Sequence, residues 1–373
     1  MKVAVIGGSR PELIKLAPVC WQLEKSTEFE LLLCLTGQHE EQTRQLAAEL
    51  ELNVHTMFNL GQRGDSVAHL TGLMLPLIDD FLEKNEVDLT VVQGDTASTF
   101  AASLSSFFRG IPVAHVEAGL RTWDLRHPFP EEAIRRMVTI ITSVHFAPTT
   151  EARDNLISDG VSPGSIHVVG NTVVDTLRRI LPLSVPSGVG KYRVLMTAHR
   201  RENWQSEIQS LTELAKKITS DDPKIQVDWV LHPNPMVSST VQSSLRNCPR
   251  ITLHPPLEYR DFLGRLSQSS LVITDSGGIQ EEAVSLGIPT LVAREKTERP
   301  EGITSGVTQL LARNMGDRVA QVREIIRDSR HGSTITPQEI YGDGNSGLAI
   351  STILHSMFPG RPKKSPSNGG SES

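Results

Sequence analysis

Short apolar runs alternate along the chain with segments whose apolar positions recur at helical spacing. In the first half the runs Lys2–Ile6, Glu30–Leu35, Leu89–Gln93, Pro112–Val116, Ser143–Ala147 and Ile166–Val169 read as strands. In the second half Arg193–Thr197, Gln226–Leu231, Ile251–Leu253, Leu271–Thr274 and Thr290–Ala293 do the same. Between the first two strands, Pro11–Glu24 carries Ile14, Leu16, Ala17, Val19, Cys20 and Leu23 on one broad apolar face, as a helix would. Strand–helix alternation of this kind implies parallel sheets covered by helices. The pattern occurs twice, so two doubly wound Rossmann-like α/β domains are expected. Pro182, Pro186, Ser187, Gly188 and Gly190 cluster in Leu181–Lys191 and mark the boundary, giving domains at 1–180 and 191–344. A last helix, about Gly347–Met357, follows the glycine-rich turn Tyr341–Asn345, within a C-terminal segment 345–359. The polar tail 360–373 is low in complexity and expected to be disordered.

The 373 residues suffice for two domains of ordinary size. A net charge of −6 implies no basic face and argues against nucleic-acid binding. The chain contains no apolar run long enough for a bilayer and opens directly into a strand, so neither a membrane anchor nor a signal peptide is expected. The widely spaced Cys20, Cys34 and Cys248 suit neither a disulfide framework nor a zinc site, and a reducing cytoplasm is the simplest setting.

The chemistry-bearing residues fall at strand ends. Asp275-Ser276-Gly277-Gly278 follows an apolar strand and opens a helix; a glycine turn there aims backbone N–H groups and a helix dipole at one spot suited to phosphate. Arg299, in Thr297–Glu301, is suited to pairing with that phosphate. Gly7-Gly8-Ser9-Arg10-Pro11-Glu12 closes the first strand, with Arg10 and Lys15 in reach of a phosphate at the helix start, although an ordinary strand-to-helix turn reads equally well. Its spacing is not G-x-G-x-x-G, so a nicotinamide cofactor is not supported. Asp95, in Gln93–Thr96, is placed for chemistry or for capping the next helix. Glu117, in His115–Arg121, and Glu131, in Pro128–Glu132, add two carboxylates; paired acids can hold their pKa values apart, one to donate and one to accept a proton. His199 shares a loop with Arg200 and Arg201 and reads as a diphosphate contact or an acid. His232-Pro233-Asn234-Pro235 is explained by a turn alone. His39 has no metal-ligand partner, since Thr43 breaks H-E-x-x-H, and neither G-x-S-x-G nor a cysteine–base pair is present. With two sheets facing one another, the cleft at their strand ends is the natural site.

Taken in order, these strings make the chain resemble the non-hydrolysing UDP-N-acetylglucosamine 2-epimerases from about Lys2 to about Ser356. Gly8–Glu12, Gln93–Thr96, His115–Thr122, Pro128–Glu132, His145–Thr149, Gly170–Val173, Thr197–Asn203, His232–Pro235, Asp275–Ala283 and Thr297–Ile303 carry the likeness. The resemblance implies a glycosyltransferase-B-like arrangement, the last helix crossing back to the first domain, and a homodimer. It implies reversible C2 epimerisation of UDP-GlcNAc to UDP-ManNAc through 2-acetamidoglucal and UDP, with no metal or nicotinamide. It assigns the catalytic acids to Asp95, Glu117 and Glu131, with His199 beside them. It assigns UDP contacts to Arg10, Lys15, His199, Ser276, Gly277, Gly278, Glu282 and Arg299, with Phe262 near the uracil. A second, activating UDP-sugar site would use Gln38, His39, Arg200 or Arg201, and His232. There Glu41 replaces an expected Gln and Gly64-Asp65 an expected Arg-Gln; a like charge beside a diphosphate is unfavourable, so weakened activation is expected. Ser9, Ile134, Ser143-Val144 and Leu257 also depart from the family pattern, leaving a changed sugar preference open. A glycosyltransferase of the same architecture, a hydrolysing epimerase and a UDP-sugar sensor are the competing readings.

Overall fold

The structure, a computed structural model, describes residues 1–37, 40–60, 66–181, 192–198, 204–294, 297–330 and 339–359. The expected boundary segment, apart from Leu181, and the tail 360–373 lie outside the described residues. By the density of contacts the chain forms two compact units. The first holds Met1–Val116, Met137–Phe146 and the chain from Gly347; the second holds Glu117–Arg136 and Ala147–Ser346.

The chain has the expected α/β class with two doubly wound sheets, whose described strand pairs are parallel. In chain order the strands are β1 (Lys2–Gly7), β2 (Glu30–Leu35), β3 (Thr56–Met57), β4 (Leu89–Gln93), β5 (Val113–Val116), β6 (Val144–Ala147) and β7 (Ile166–Val168). They continue with β8 (Tyr192–Thr197), β9 (Ile225–Val230), β10 (Ile251–His254), β11 (Leu271–Thr274), β12 (Thr290–Val292) and β13 (Thr308–Leu310). The first sheet runs β3-β2-β1-β4-β5-β6-β7 and the second β10-β9-β8-β11-β12-β13. Each order reverses once, at β1/β4 and at β8/β11, and loops leaving the carboxyl ends of such neighbours diverge to opposite faces and leave a crevice. The register Val3↔Leu89 to Val5↔Val91 aligns the first pair, and Leu271↔Val194 to Ile273↔Met196 the second.

β1 and β4 are buried almost end to end, as strands covered on both faces must be. One core of the first unit gathers Ala4, Ile6, Met74, Ile78, Phe81, Val92, Ala101 and their neighbours. The second unit packs about Trp229, Met196, Leu214, Ile218, Leu271, Ile273 and Val322. Cys20 and Cys34 are buried, which pushes both thiols up in pKa and leaves them as packing groups. Two strands were not foreseen: β3 has two residues and β13 three, too few for a periodic signal. Within the first unit the C-terminal helix lies on the first one. Gly347 meets the Pro18 carbonyl so closely that a Cβ would stand 2.6 Å from its oxygen. His355 Nε2 bonds the Ser26 hydroxyl at 2.9 Å, and its ring centroid is 4.1 Å from that of Phe29. Among the described residues no helix is long and apolar enough to cross a membrane.

Candidate active site

The first unit presents its motif residues at the β1/β4 reversal. Helix Arg10–Glu24 is started by a capping box: Ser9 Oγ accepts from the Glu12 N–H, and Glu12 Oε2 accepts from the Ser9 N–H at 2.7 Å. Arg10 is half-buried in the first turn and Lys15 is buried one turn on. A Cβ at Gly8 would collide with the Ser98 and Thr36 hydroxyls, so the turn closes only with glycine there. Asp95 lies half-buried in the turn after β4. The cap of the next helix, Ala97–Phe108, is Thr96 and not Asp95, which leaves the carboxylate of Asp95 outside that structural role.

In the second unit the Asp275–Gly278 turn follows β11, and helix Gly277–Ser285 begins at Ser276, whose side chain makes no capping bond. Gly277 is required by Arg299: a Cβ there would stand 2.6 Å from Arg299 Cζ. Arg299 is 5% exposed and is gripped by three carboxylates. Its Nε donates to Glu281 at 2.5 Å and its Nη1 to Glu298 at 2.6 Å, while its Nη2 stands 3.5 Å from Glu117 Oε1. Burial opposes the guanidinium charge, but Glu281, Glu298 and Glu117 outweigh it and hold the pKa well above the usual arginine range. Arg294 pairs with Glu298 at 2.7 Å, and Arg135 lies 3.8 Å from it and 3.2 Å from Glu132. Glu132 also accepts from the Thr122 and Trp123 backbone, fixing the loop between β5 and helix Glu131–Ile141.

Glu117 adopts a left-handed backbone, with φ of 62°, just beyond β5. That conformation costs a non-glycine residue roughly 1–3 kcal/mol and must be held by its surroundings. Asn171 supplies part of the hold by donating from Nδ2 to Glu117 Oε1 at 3.1 Å. Asn171 is itself pinned, since its Oδ1 caps Val173 at 3.1 Å and its N–H donates to the Tyr341 carbonyl at 2.7 Å. Glu131 begins its helix with a half-buried side chain, so it is not a solvated helix-start acid. Glu282 is buried and accepts from Tyr259 Oη at 2.6 Å, and Phe262 is half-buried on the same helix, Tyr259–Ser267. His232 is half-buried and its Nδ1 accepts from the Asn234 N–H at 3.0 Å, as a turn residue does. His199, Gln38, His39, Arg200, Arg201, Gly64 and Asp65 lie outside the described residues.

The structure therefore gathers Glu117, Arg299 and the Gly277 turn into one cluster, and sets Arg10, Lys15 and Asp95 at one sheet reversal. Sequence reasoning passed over Glu12, Asn171, Glu132, Arg135, Glu281 and Glu298. All lie beside residues it did select, and for Glu12 the Ser-x-x-Glu capping signature was available.

Two doubly wound sheets, with a glycine turn at one reversal and buried carboxylates at strand ends, define an α/β chain of the class that takes its ligands at the carboxyl ends of the strands. Comparison with known proteins narrows this. The profile of the family described as UDP-N-acetylglucosamine 2-epimerase matches residues 21–355. A relative from Salmonella typhimurium, named UDP-N-acetylglucosamine 2-epimerase, is 37% identical over 95% of this chain and 99% of its own. The structure of UDP-GlcNAc 2-epimerase from Neisseria meningitidis bound to UDP-GlcNAc superposes with a TM-score of 0.89 at 34% identity, covering 95% of this chain and 100% of that one. The Methanocaldococcus jannaschii enzyme in complex with UDP-GlcNAc and UDP gives 0.84 at 32% identity, with coverages of 95% and 100%. The chain belongs to the UDP-N-acetylglucosamine 2-epimerase family.

Proposed function

We propose that the protein interconverts UDP-GlcNAc and UDP-ManNAc by eliminating and re-adding UDP. The observation that carries this reading is that one buried arginine, Arg299, stands against a strand-end carboxylate, Glu117, and fills the space where a Cβ at Gly277 of the phosphate-type turn would lie. On this reading Glu117 is the proton-transfer group and the neighbouring turn receives the diphosphate leaving group. Loss of the C2 proton supplies the electron pair of a C1=C2 bond as the C1–O bond breaks, giving 2-acetamidoglucal and UDP. UDP oxygen then re-forms the bond to C1 while a proton is delivered to the opposite face of C2, so no atom is gained or lost. The barrier falls when the proton acceptor is positioned and the departing diphosphate charge is stabilised.

In this reading Glu117 is the leading candidate for the C2 base, with Asp95 and Glu131 serving proton return and positioning. Arg10, Lys15 and His199 meet the phosphates. Ser276, Gly277, Gly278, Glu282 and Arg299 make further contacts with UDP, with Phe262 toward the uracil. The residues named here require no metal or nicotinamide.

The test is incubation with UDP-GlcNAc alone in D2O. The expected result is deuterium at C2 in both sugar nucleotides with UDP-ManNAc accumulating. Free ManNAc with UDP would instead mark a hydrolysing enzyme. Nucleotide binding without exchange would mark a sensor, and no exchange until an acceptor sugar is supplied would mark a transferase.

A further inference from the structure

The geometry points to Glu12 as a positioning residue that locks the turn after β1 to the turn after β4. Its carboxylate is 1% exposed and lies at the β1/β4 reversal. One oxygen, Oε2, accepts from the N–H groups of Gly8 at 3.2 Å and Ser9 at 2.7 Å. The other, Oε1, accepts from the Thr96 hydroxyl at 2.8 Å, while the Thr99 hydroxyl, 3.5 Å away, gives its proton to the Gln93 carbonyl at 2.6 Å. A helix-starting acid needs only the bonds to its own first turn. The bond from Thr96 reaches across to a neighbouring strand's loop, and the two loops carry the residues on which the proposed reaction depends. Arg10 follows Ser9, and Asp95 precedes Thr96. A single buried carboxyl thus ties the phosphate-side turn to the acid-bearing turn. Burial raises the Glu12 pKa against the opposing bonds from Ser9, Thr96 and Gly8, so the group is held at a desolvation cost that a helix cap exposed to water would avoid.

The inference rests on the proposed epimerisation for its catalytic consequence, but the linkage itself has a readout independent of turnover. Hydrogen exchange followed by mass spectrometry on the full chain reads both turns in separate peptides. Glu12→Ala is expected to speed exchange in peptides covering residues 7–13 and 93–99 alike. Acceleration confined to the first peptide would overturn the linkage, whether or not the protein turns over sugar.

The kinetic arm uses C2 deuterium exchange. Thr96→Val cuts the bridge to the second loop together with the cap that Thr96 Oγ1 gives the Thr99 N–H. It is expected to lower kcat about tenfold or more, since displacements of about 1 Å cost up to 10²-fold, with KM for the sugar nucleotide within twofold. Thr96→Ser should restore kcat. Glu12→Ala should lower kcat and raise KM together, and Glu12→Gln, which offers an oxygen to one turn and an NH2 to the other, should recover most of both. A merely structural role would shift the melting temperature of these variants and leave kcat and KM of the folded enzyme at the wild-type values, which would overturn the assignment. Absence of exchange in the wild type would sink the proposed reaction instead, leaving the hydrogen-exchange comparison to judge the clasp.

Discussion

Arg299→Met is expected to destabilise the protein by about 3–5 kcal/mol, the usual cost of leaving buried charge without its partner. Methionine keeps the apolar packing of the side-chain stem, and the unfilled space of the guanidinium adds to the loss. What it removes is the cation shared by Glu281, Glu298 and Glu117, two of which bond it at 2.5 and 2.6 Å. For a domain of 150–250 residues each kcal/mol moves the melting temperature by about 2–4 °C, so a fall of roughly 10 °C is expected in calorimetry. Arg299→Lys should be only partly corrective, because one ammonium cannot span three carboxylates held in a fork geometry. A melting temperature within 2–3 °C of wild type for the methionine variant, roughly a shift of 1 kcal/mol or less, would refute the claim that this arginine offsets buried charge.

The second large effect concerns Glu117. Glu117→Gln keeps size and the capacity to accept from Asn171, but cannot take a proton from carbon. If Glu117 is the C2 base, deuterium exchange at C2 should fall by about 10²–10⁴, the range for removing a positioned acid–base group. UDP affinity measured by calorimetry should change by only a few-fold, since the Gly277 turn and Arg299 remain. Exchange at more than a tenth of the wild-type rate would remove Glu117 from that role. Asn171→Leu offers a graded companion, because it deletes the bond to Glu117 at 3.1 Å without touching the carboxylate.

Much of the framework could be read directly from the chain because parallel strands buried on both faces announce themselves as apolar runs. β2, β4 and β11 occur with the expected bounds, and β1, β5, β6 and β8 within one residue. Edge strands escaped notice for the opposite reason: β3 and β13 are too short to show a period. At the site, residues at strand ends were visible, since a glycine or acid following an apolar run is conspicuous. Their supports were not. Nothing in Gly170-Asn171-Thr172 says that the amide reaches Glu117, and nothing in Ile279–Ala283 says which glutamate bonds Arg299. Those contacts join segments far apart in sequence and exist only once the sheet is assembled. Arg299 shows the limit most clearly: the sequence offers it as a phosphate partner, whereas folding surrounds it with acids.

Summed over the cluster, Arg299, Arg294 and Arg135 face Glu117, Glu132, Glu281 and Glu298, three guanidinium groups against four carboxylates. An incoming diphosphate would therefore meet no surplus of positive potential from these side chains. Within this cluster the attraction would come from oriented peptide dipoles at Gly277 and Gly278, which carry no counterion atmosphere. Dissolved electrolyte weakens long-range pull between exposed charges far more than such short-range, enclosed contacts. The share of nucleotide affinity contributed by this turn should accordingly hold nearly constant between dilute buffer and high salt.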